Sequence, residues 1–308
     1  SAASDVYKRQ PISVDENLNI VGKGLHEEQR LFFKTERANL KNAFLNYDSH
    51  STTDPVSLEN LHPIWAENIA DTTIQKIGKK EKQGRSFKLY GSNRPFVNKH
   101  WEALKNANGG NVLMCPICGL EECSEMDHYL PRSLFHEFSS HTSNLIPLCH
   151  DCNKDKHDYW LNSKGERYFF NAFFDRLPAK IIDCKITIRN GFPNVKVSMN
   201  NGLNKADYYD SIVLRTFSML ELLRKIQMKA DMFMRSETQR LISDYAIQKT
   251  NYHDNREEFW NSRISTYNEY IKHPNSFDFI ELEMYKAMVS SSEIKDWVEN
   301  SKEFYSIL

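Results

Sequence analysis

Four of the chain's six cysteines fall into two pairs of identical short spacing, Cys115/Cys118 and Cys149/Cys152, and no other feature restricts its folding as tightly. In a C-x-x-C turn both thiolates can reach one metal ion. Two such turns complete a tetrahedral site of four thiolates, a donor set suited to Zn²⁺. In a cytosolic chain this spacing favours metal binding over disulfides. Four protein ligands leave no open position for water, so the site is expected to be structural and to knit a stretch too small to bury its own core. His150, inside the second pair, is an alternative ligand disfavoured by its flanking cysteines. Of the two remaining cysteines, Cys123 has no evident task, and Cys184, in a strand-like segment, reads as a small buried apolar residue.

Between and after the pairs stand Asp127-His128-Tyr129-Leu130-Pro131-Arg132-Ser133, then Asn144-Leu145-Ile146-Pro147-Leu148-Cys149, then Cys152-Asn153-Lys154-Asp155-Lys156-His157. These are residue types that phosphodiester hydrolysis can use. A neutral imidazole (His128) is a natural base near pH 7. A hard cation with oxygen ligands can stabilise the phosphate and the leaving oxygen. Asp127 supplies an anionic oxygen beside His128, and Asn153 a carbonyl oxygen from the start of a helix. Asn144 can bond His128 or the loop around it. Neighbours on a strand point to opposite faces, so Asp127 and His128 share a site only where the strand is distorted or ends.

The order C-x-x-C, D-H-x-x-P, N-L-x-x-L-C-x-x-C-N-x-x-K resembles the cysteine-bearing branch of the HNH, or ββα-metal, endonuclease family. The resemblance implies His128 as general base, Asp127 and Asn153 as ligands of one Mg²⁺ or Mn²⁺, and Asn144 as the middle asparagine. The third motif position is Asn153 rather than histidine. His157, four residues later on the same expected helix face, is a further possible ligand or phosphate contact. Lys154, Lys156 and Arg132 are either phosphate contacts or solvated charges, and His136 and His141 are not expected to be ligands.

A net charge of −1 over 308 residues makes any nucleic-acid surface a local one. Residues 76–105 carry nine Lys or Arg against two Glu, an excess of +7, with Phe87, Tyr90, Phe96 and Trp101 interleaved. They form either a nucleic-acid surface or a solvated loop with core aromatics. Apolar periodicity predicts helices over 25–47, from about Leu58 to Ile77, and over 207–249, 255–272, 276–289 and 292–305. Alternation around Asn190-Gly191 predicts a hairpin of 180–189 with 194–199. The expected architecture is α+β, mainly helical, with a helical region at 1–110, a nuclease module at 111–160, and a hairpin plus helices at 161–308. Residues 1–10 read either as a sequence-assembly artefact or as a disordered polar leader. With no apolar run long enough for a membrane span and no signal-peptide core, a cytoplasmic location is expected.

The phrases CPICG and DHYLPRS are further similar to HNH proteins of bacterial anti-phage systems, the PtuB type of Septu and certain retrons. That resemblance implies antiviral defence beside an ATPase partner. Three functions compete: a DNA endonuclease, an HNH ribonuclease cutting tRNA for example, and a catalytically inactive zinc-stabilised binding subunit.

Overall fold

The computed structural model describes residues 12–63, 84–86, 88–90, 94–108, 112–251, 256–272 and 279–300. Residues 1–10 and most of the helix expected from Leu58 to Ile77 lie outside them. Of that helix, the first residues belong to a 3₁₀ turn, Pro55–Asn60, capped by the Asp54 side chain. The chain is mainly helical with two small antiparallel sheets, as an α+β protein should be. It divides into two compact units.

The first unit begins with α1 (Val14–Lys23) and α2 (Glu27–Thr53). Helix α1 buries Asn17, Leu18 and Val21 on its inner face. Ser13 caps it by accepting from the Glu16 amide, with Asp15 and Glu16 suited to the positive helix end. Helix α2 buries Phe32, Leu40, Phe44 and Tyr47, while Leu31 and Leu45 of the expected apolar face are exposed. The buried polar groups of α1 and α2 hold the loop that joins the first sheet's strands. Asn17 donates to the Ser140 carbonyl and accepts from the Thr142 amide. His141 stacks on Phe44 at 4.2 Å and pairs with Asp48 at 2.9 Å.

Helix α3 (Arg94–Ala107) forms in the basic stretch, and two of that stretch's aromatics are accounted for. Phe96 is wholly buried, and Tyr90 packs on His128, so neither is free to stack on a base. Phe87 lies outside the described residues. On α3, His100 is buried and donates from Nε2 to the Leu145 carbonyl. Burial depresses its pKa from 6.5 to about 4. The unfolded chain therefore binds a proton at pH values where the folded chain resists it. Stability is full above pH 6.5 and falls as pH drops toward 4, at up to about 1.4 kcal/mol per pH unit. Urea unfolding of His100→Gln across that window should show a shallower acid limb than the parent; identical limbs would clear His100 of this effect.

Strands β1 (Glu125–His128) and β2 (Leu145–Leu148) pair antiparallel, with Asp127 opposite Ile146 and His128 opposite Leu145. Every residue of β2 is buried. The short helix α4 (His150–Lys156) follows at once. Beyond it, an aromatic stretch buries Phe169, Phe170 and Phe173 around an ion pair, Arg167 Nη2 to Asp175 Oδ1 at 2.9 Å, with both side chains fully enclosed. Arg167 Nη1 also donates to the Tyr129 hydroxyl at 2.7 Å, and the Asn171 amide donates to Asp175 Oδ2.

The second unit is built on a hairpin, β3 (Ile182–Arg189) and β4 (Phe192–Met199). Asn190 and Gly191 have φ of 51° and 80°, the paired left-handed residues of a two-residue turn, as the Asn-Gly signal predicted. Cys184 in β3 is only partly buried, and burial pushes its thiol up to about 12. The expected helix over 207–249 is in fact two, α5 (Tyr208–Met219) and α6 (Leu222–Asn251), split where Glu221 takes φ of 49°. No glycine or proline marks that break. It falls where Ile212–Leu220 belong to the first unit and the residues from Glu221 on to the second. Helices α7 (Arg256–Lys272), α8 (Phe279–Ser290) and α9 (Ser292–Asn300) complete the second unit. Gln227 of α6 bonds both Val195 and Val197 of the hairpin. Among the described residues no helix is long and apolar enough to cross a membrane.

Candidate active site and metal centre

The four paired cysteines come together. Their sulfurs lie within 4.8 Å of one another, and all four residues are buried. Tetrahedral zinc with Zn–S bonds near 2.3 Å would separate its sulfurs by roughly 3.8 Å, so the donor set fits that ion. Local backbone supports the arrangement. The amides of Leu120 and Cys152 donate to the Cys118 and Cys149 sulfurs, each at 3.4 Å, and Gly119 turns the first knuckle with φ of 65°. His150 stands outside the cluster. Its side chain is 69% exposed and its Nδ1 pairs with Glu125 at 2.7 Å.

Cys149 is also the N-cap of α4, and Cys152 lies in its first turn. A seven-residue helix has little stability of its own, so the metal knuckle and the cap determine where its residues stand. Asn153 and Lys156 thereby face β1. The face of β1 that bears Glu125 and Asp127 meets α4, where Asn153 Nδ2 donates to Glu125 Oε2. That bond leaves the Asn153 carbonyl oxygen available.

Lys156 is 5% exposed. Its ammonium lies 2.7 Å from Asp127 Oδ2 and donates to the His128 carbonyl at 2.9 Å. It is thus neither a solvated charge nor an outward phosphate contact, the two readings its sequence position suggested. Lys156 thus pairs closely with Oδ2 of a largely buried carboxylate. Burial pushes the Asp127 carboxyl up, and the nearby ammonium opposes that rise.

The alternate face of β1 bears Met126 and His128. The His128 ring is buried, and its Nε2 lies 2.9 Å from the Ser139 carbonyl. A carbonyl can only accept, so Nε2 carries the proton and Nδ1 is left as the basic nitrogen. Burial depresses the ring's pKa from 6.5 to about 3, which makes it neutral at pH 7. Tyr90 packs edge-on against the ring at 4.6 Å. Both faces open on one polar cavity of about 300 Å³, because the strand ends at His128. Tyr90, Met126, Asp127, His128, Arg132, Asn153, His157 and Asp158 line it.

His157 is not on the helix face with Asn153. It is the C-cap of α4, at φ 47° and ψ −145°, a region that normally belongs to glycine and costs about 1–3 kcal/mol for other residues. The strained backbone still brings it to the cavity wall. The buried Oδ2 of Asp127, the free Asn153 carbonyl oxygen and the His157 ring make a donor set suited to a divalent cation.

Asn144 is fully buried and does not reach the cavity. Its Oδ1 accepts from the Leu130 amide at 2.7 Å and its Nδ2 donates to the Leu130 carbonyl at 3.1 Å. Of the two partners open to it from sequence, the loop is the one bonded. Sequence reasoning missed Tyr90, Ser86 and Ser139 around His128, because none belongs to a spaced motif. His136 and His141 lie outside both metal-binding groups.

Residues 115–159 match the family model described as HNH endonuclease. Protein ea31 of Escherichia phage lambda is 29% identical over 108 residues, covering 33% of this chain and 33% of that protein. The chain thus spans about a third of the length of this curated relative. No solved structure matches it.

Proposed function

We propose that this chain, whose residues 115–159 are an HNH endonuclease domain, is a divalent-metal-dependent nuclease acting on DNA. The observation that carries the reading is one cavity holding a neutral imidazole with its basic nitrogen identified, beside the Asp127 carboxylate and Asn153.

His128 Nδ1 takes a proton from water, and that water's oxygen attacks phosphorus. The P–O3′ bond opens and the leaving oxygen takes a proton from solvent water, leaving a 5′ phosphate and a 3′ hydroxyl. When bound by Asp127 and Asn153, with His157 in reach, Mg²⁺ or Mn²⁺ supplies positive charge to the phosphate and the leaving oxygen. Lys156 holds the Asp127 carboxylate in place. Arg132, over the Tyr90 ring at 5.5 Å, offers a second positive charge on the cavity wall. The cysteine cluster holds Zn²⁺ and has a structural task.

The proposal extends to anti-phage defence in the cytoplasm beside an ATPase partner. Its support is the likeness of the Cys115–Gly119 and Asp127–Ser133 phrases to such systems; co-purification of an ATPase with the tagged chain checks it.

The deciding experiment offers plasmid DNA and total tRNA, with Mg²⁺ or Mn²⁺, to the parent protein and to His128→Ala. The parent should cut DNA, and the variant should lose about 10²–10⁴-fold in rate while keeping its fold and zinc. Cutting of tRNA alone would make the chain a ribonuclease. Equal cutting by parent and variant would remove His128 from the reaction, and no cutting by either would favour the inactive binding subunit.

A further inference from the structure

Ser86 and Tyr90 lie well before the HNH domain, which begins at residue 115, yet Tyr90 touches the proposed base and Ser86 reaches it through Ser139. On one side, the Ser139 carbonyl accepts the His128 Nε2 proton. Ser139 is itself tied to this segment, for its hydroxyl donates to the Ser86 carbonyl at 2.6 Å. The Ser86 hydroxyl returns a bond to the His136 carbonyl at 2.8 Å. Ser86 and Ser139 are both fully buried, so water cannot replace either bond cheaply. On the other side, the Tyr90 ring packs edge-on to the imidazole, and its hydroxyl donates to the Met126 carbonyl on β1 at 3.2 Å.

From this juxtaposition we infer that Ser86 and Tyr90 are positioning residues for His128, contributed from outside the nuclease domain. The inference rests on the nuclease reading for its kinetic consequence, but not for its structural one. A ring held only by the Ser139 carbonyl could still tip about that bond. Tyr90 blocks the tipping, and the Ser86 carbonyl holds Ser139 so that its carbonyl cannot follow the ring, the Ser86 hydroxyl in turn fixing that peptide to the His136 carbonyl. Neither residue offers a group to the scissile phosphate through these contacts, so both act through the imidazole. Misplacement of a reacting group by about 1 Å can cost as much as 100-fold in rate.

The test uses the full-length chain as Ser86→Ala, Tyr90→Leu and Tyr90→Phe, with ¹⁵N-labelled histidine. The His128 ring signals are identified by their loss in His128→Gln. The parent should show a slowly exchanging Nε2 proton. Tyr90→Leu and Ser86→Ala should broaden that signal or speed its exchange, and should lower kcat by roughly 10- to 100-fold. KM and the affinity for Mn²⁺ should move less than about twofold, the pattern expected when only transition-state geometry is lost. Tyr90→Phe, which keeps the ring, should restore the signal and recover most of kcat. An unchanged Nε2 signal with unchanged kcat in Tyr90→Leu and Ser86→Ala would overturn the inference. So would a loss of KM, metal affinity and melting temperature together, which marks a general structural defect. If the parent cuts no substrate, the nuclease reading fails alone, and the ring signal still decides whether Ser86 and Tyr90 hold His128. If Tyr90→Leu does not fold, Ser86→Ala and its signal decide.

Discussion

Cys149→Ser should purify without its metal and with the cysteine-rich domain unfolded. Apparent binding free energies of structural zinc at such sites are about 10–16 kcal/mol, as large as the whole stability of an ordinary domain. The elements that the cluster joins are short, strands of four residues each and a helix of seven, and have little stability of their own. Serine could still cap α4, so the cap alone is not what fails. What fails is the fourth thiolate, and with it the anchor that sets Asn153 and Lys156 against β1. Metal analysis should give about one zinc per parent chain and far less in the variant. Thermal unfolding should show an early transition that zinc does not repair. A variant that keeps its zinc and melts with the parent would show that the knuckle is dispensable.

Asp175→Ala should cost about 3–5 kcal/mol, since it takes the close carboxylate from a fully buried Arg167 guanidinium and leaves only Glu59, at 4.0 Å, to face it. Burial already pushes the Asp175 carboxyl up, and the guanidinium opposes that rise. The double replacement Arg167→Met with Asp175→Leu should be much milder than the single one, because an apolar pair leaves no buried charge behind. Urea midpoints of parent, single and double variants test this. A single variant within about 1 kcal/mol of the parent would mean that water or another group reaches Arg167. The effect bears on the active site as well, for Arg167 bonds the Tyr129 hydroxyl, one residue from His128.

The cysteine cluster and the residues lining the candidate site were legible because the proposed chemistry demands short, fixed spacing: two thiolates per knuckle, Asp127 next to His128, Asn153 next to Cys152. The hairpin was legible for a similar reason, since Asn-Gly satisfies a turn that few other pairs can. What supports these residues was not legible. Ser86 meets Ser139 across 53 positions, and Tyr90 meets Met126 across 36. Serine and tyrosine occur throughout any soluble chain, and nothing local marks these two. Lys156 read as a surface charge because a lysine in the last turn of a helix normally is one. The break at Glu221 left no sign, as a glutamate at positive φ follows from tertiary packing and not from local preference.

The Asn144 carboxamide offers the Leu130 backbone the same donor and acceptor that a neighbouring strand's peptide would. It therefore acts as one more rung beyond the last pair of the β1–β2 ladder, where no strand remains to supply it. This matters because Asp127 and His128 are consecutive. A slip of one residue would turn the imidazole toward α4 and the carboxylate toward Ser139, exchanging the two side chains between the faces of the strand. Two four-residue strands hold their alignment weakly by themselves. The extra rung makes the alignment a property of one side chain, so a domain with almost no sheet can still tell its left hand from its right.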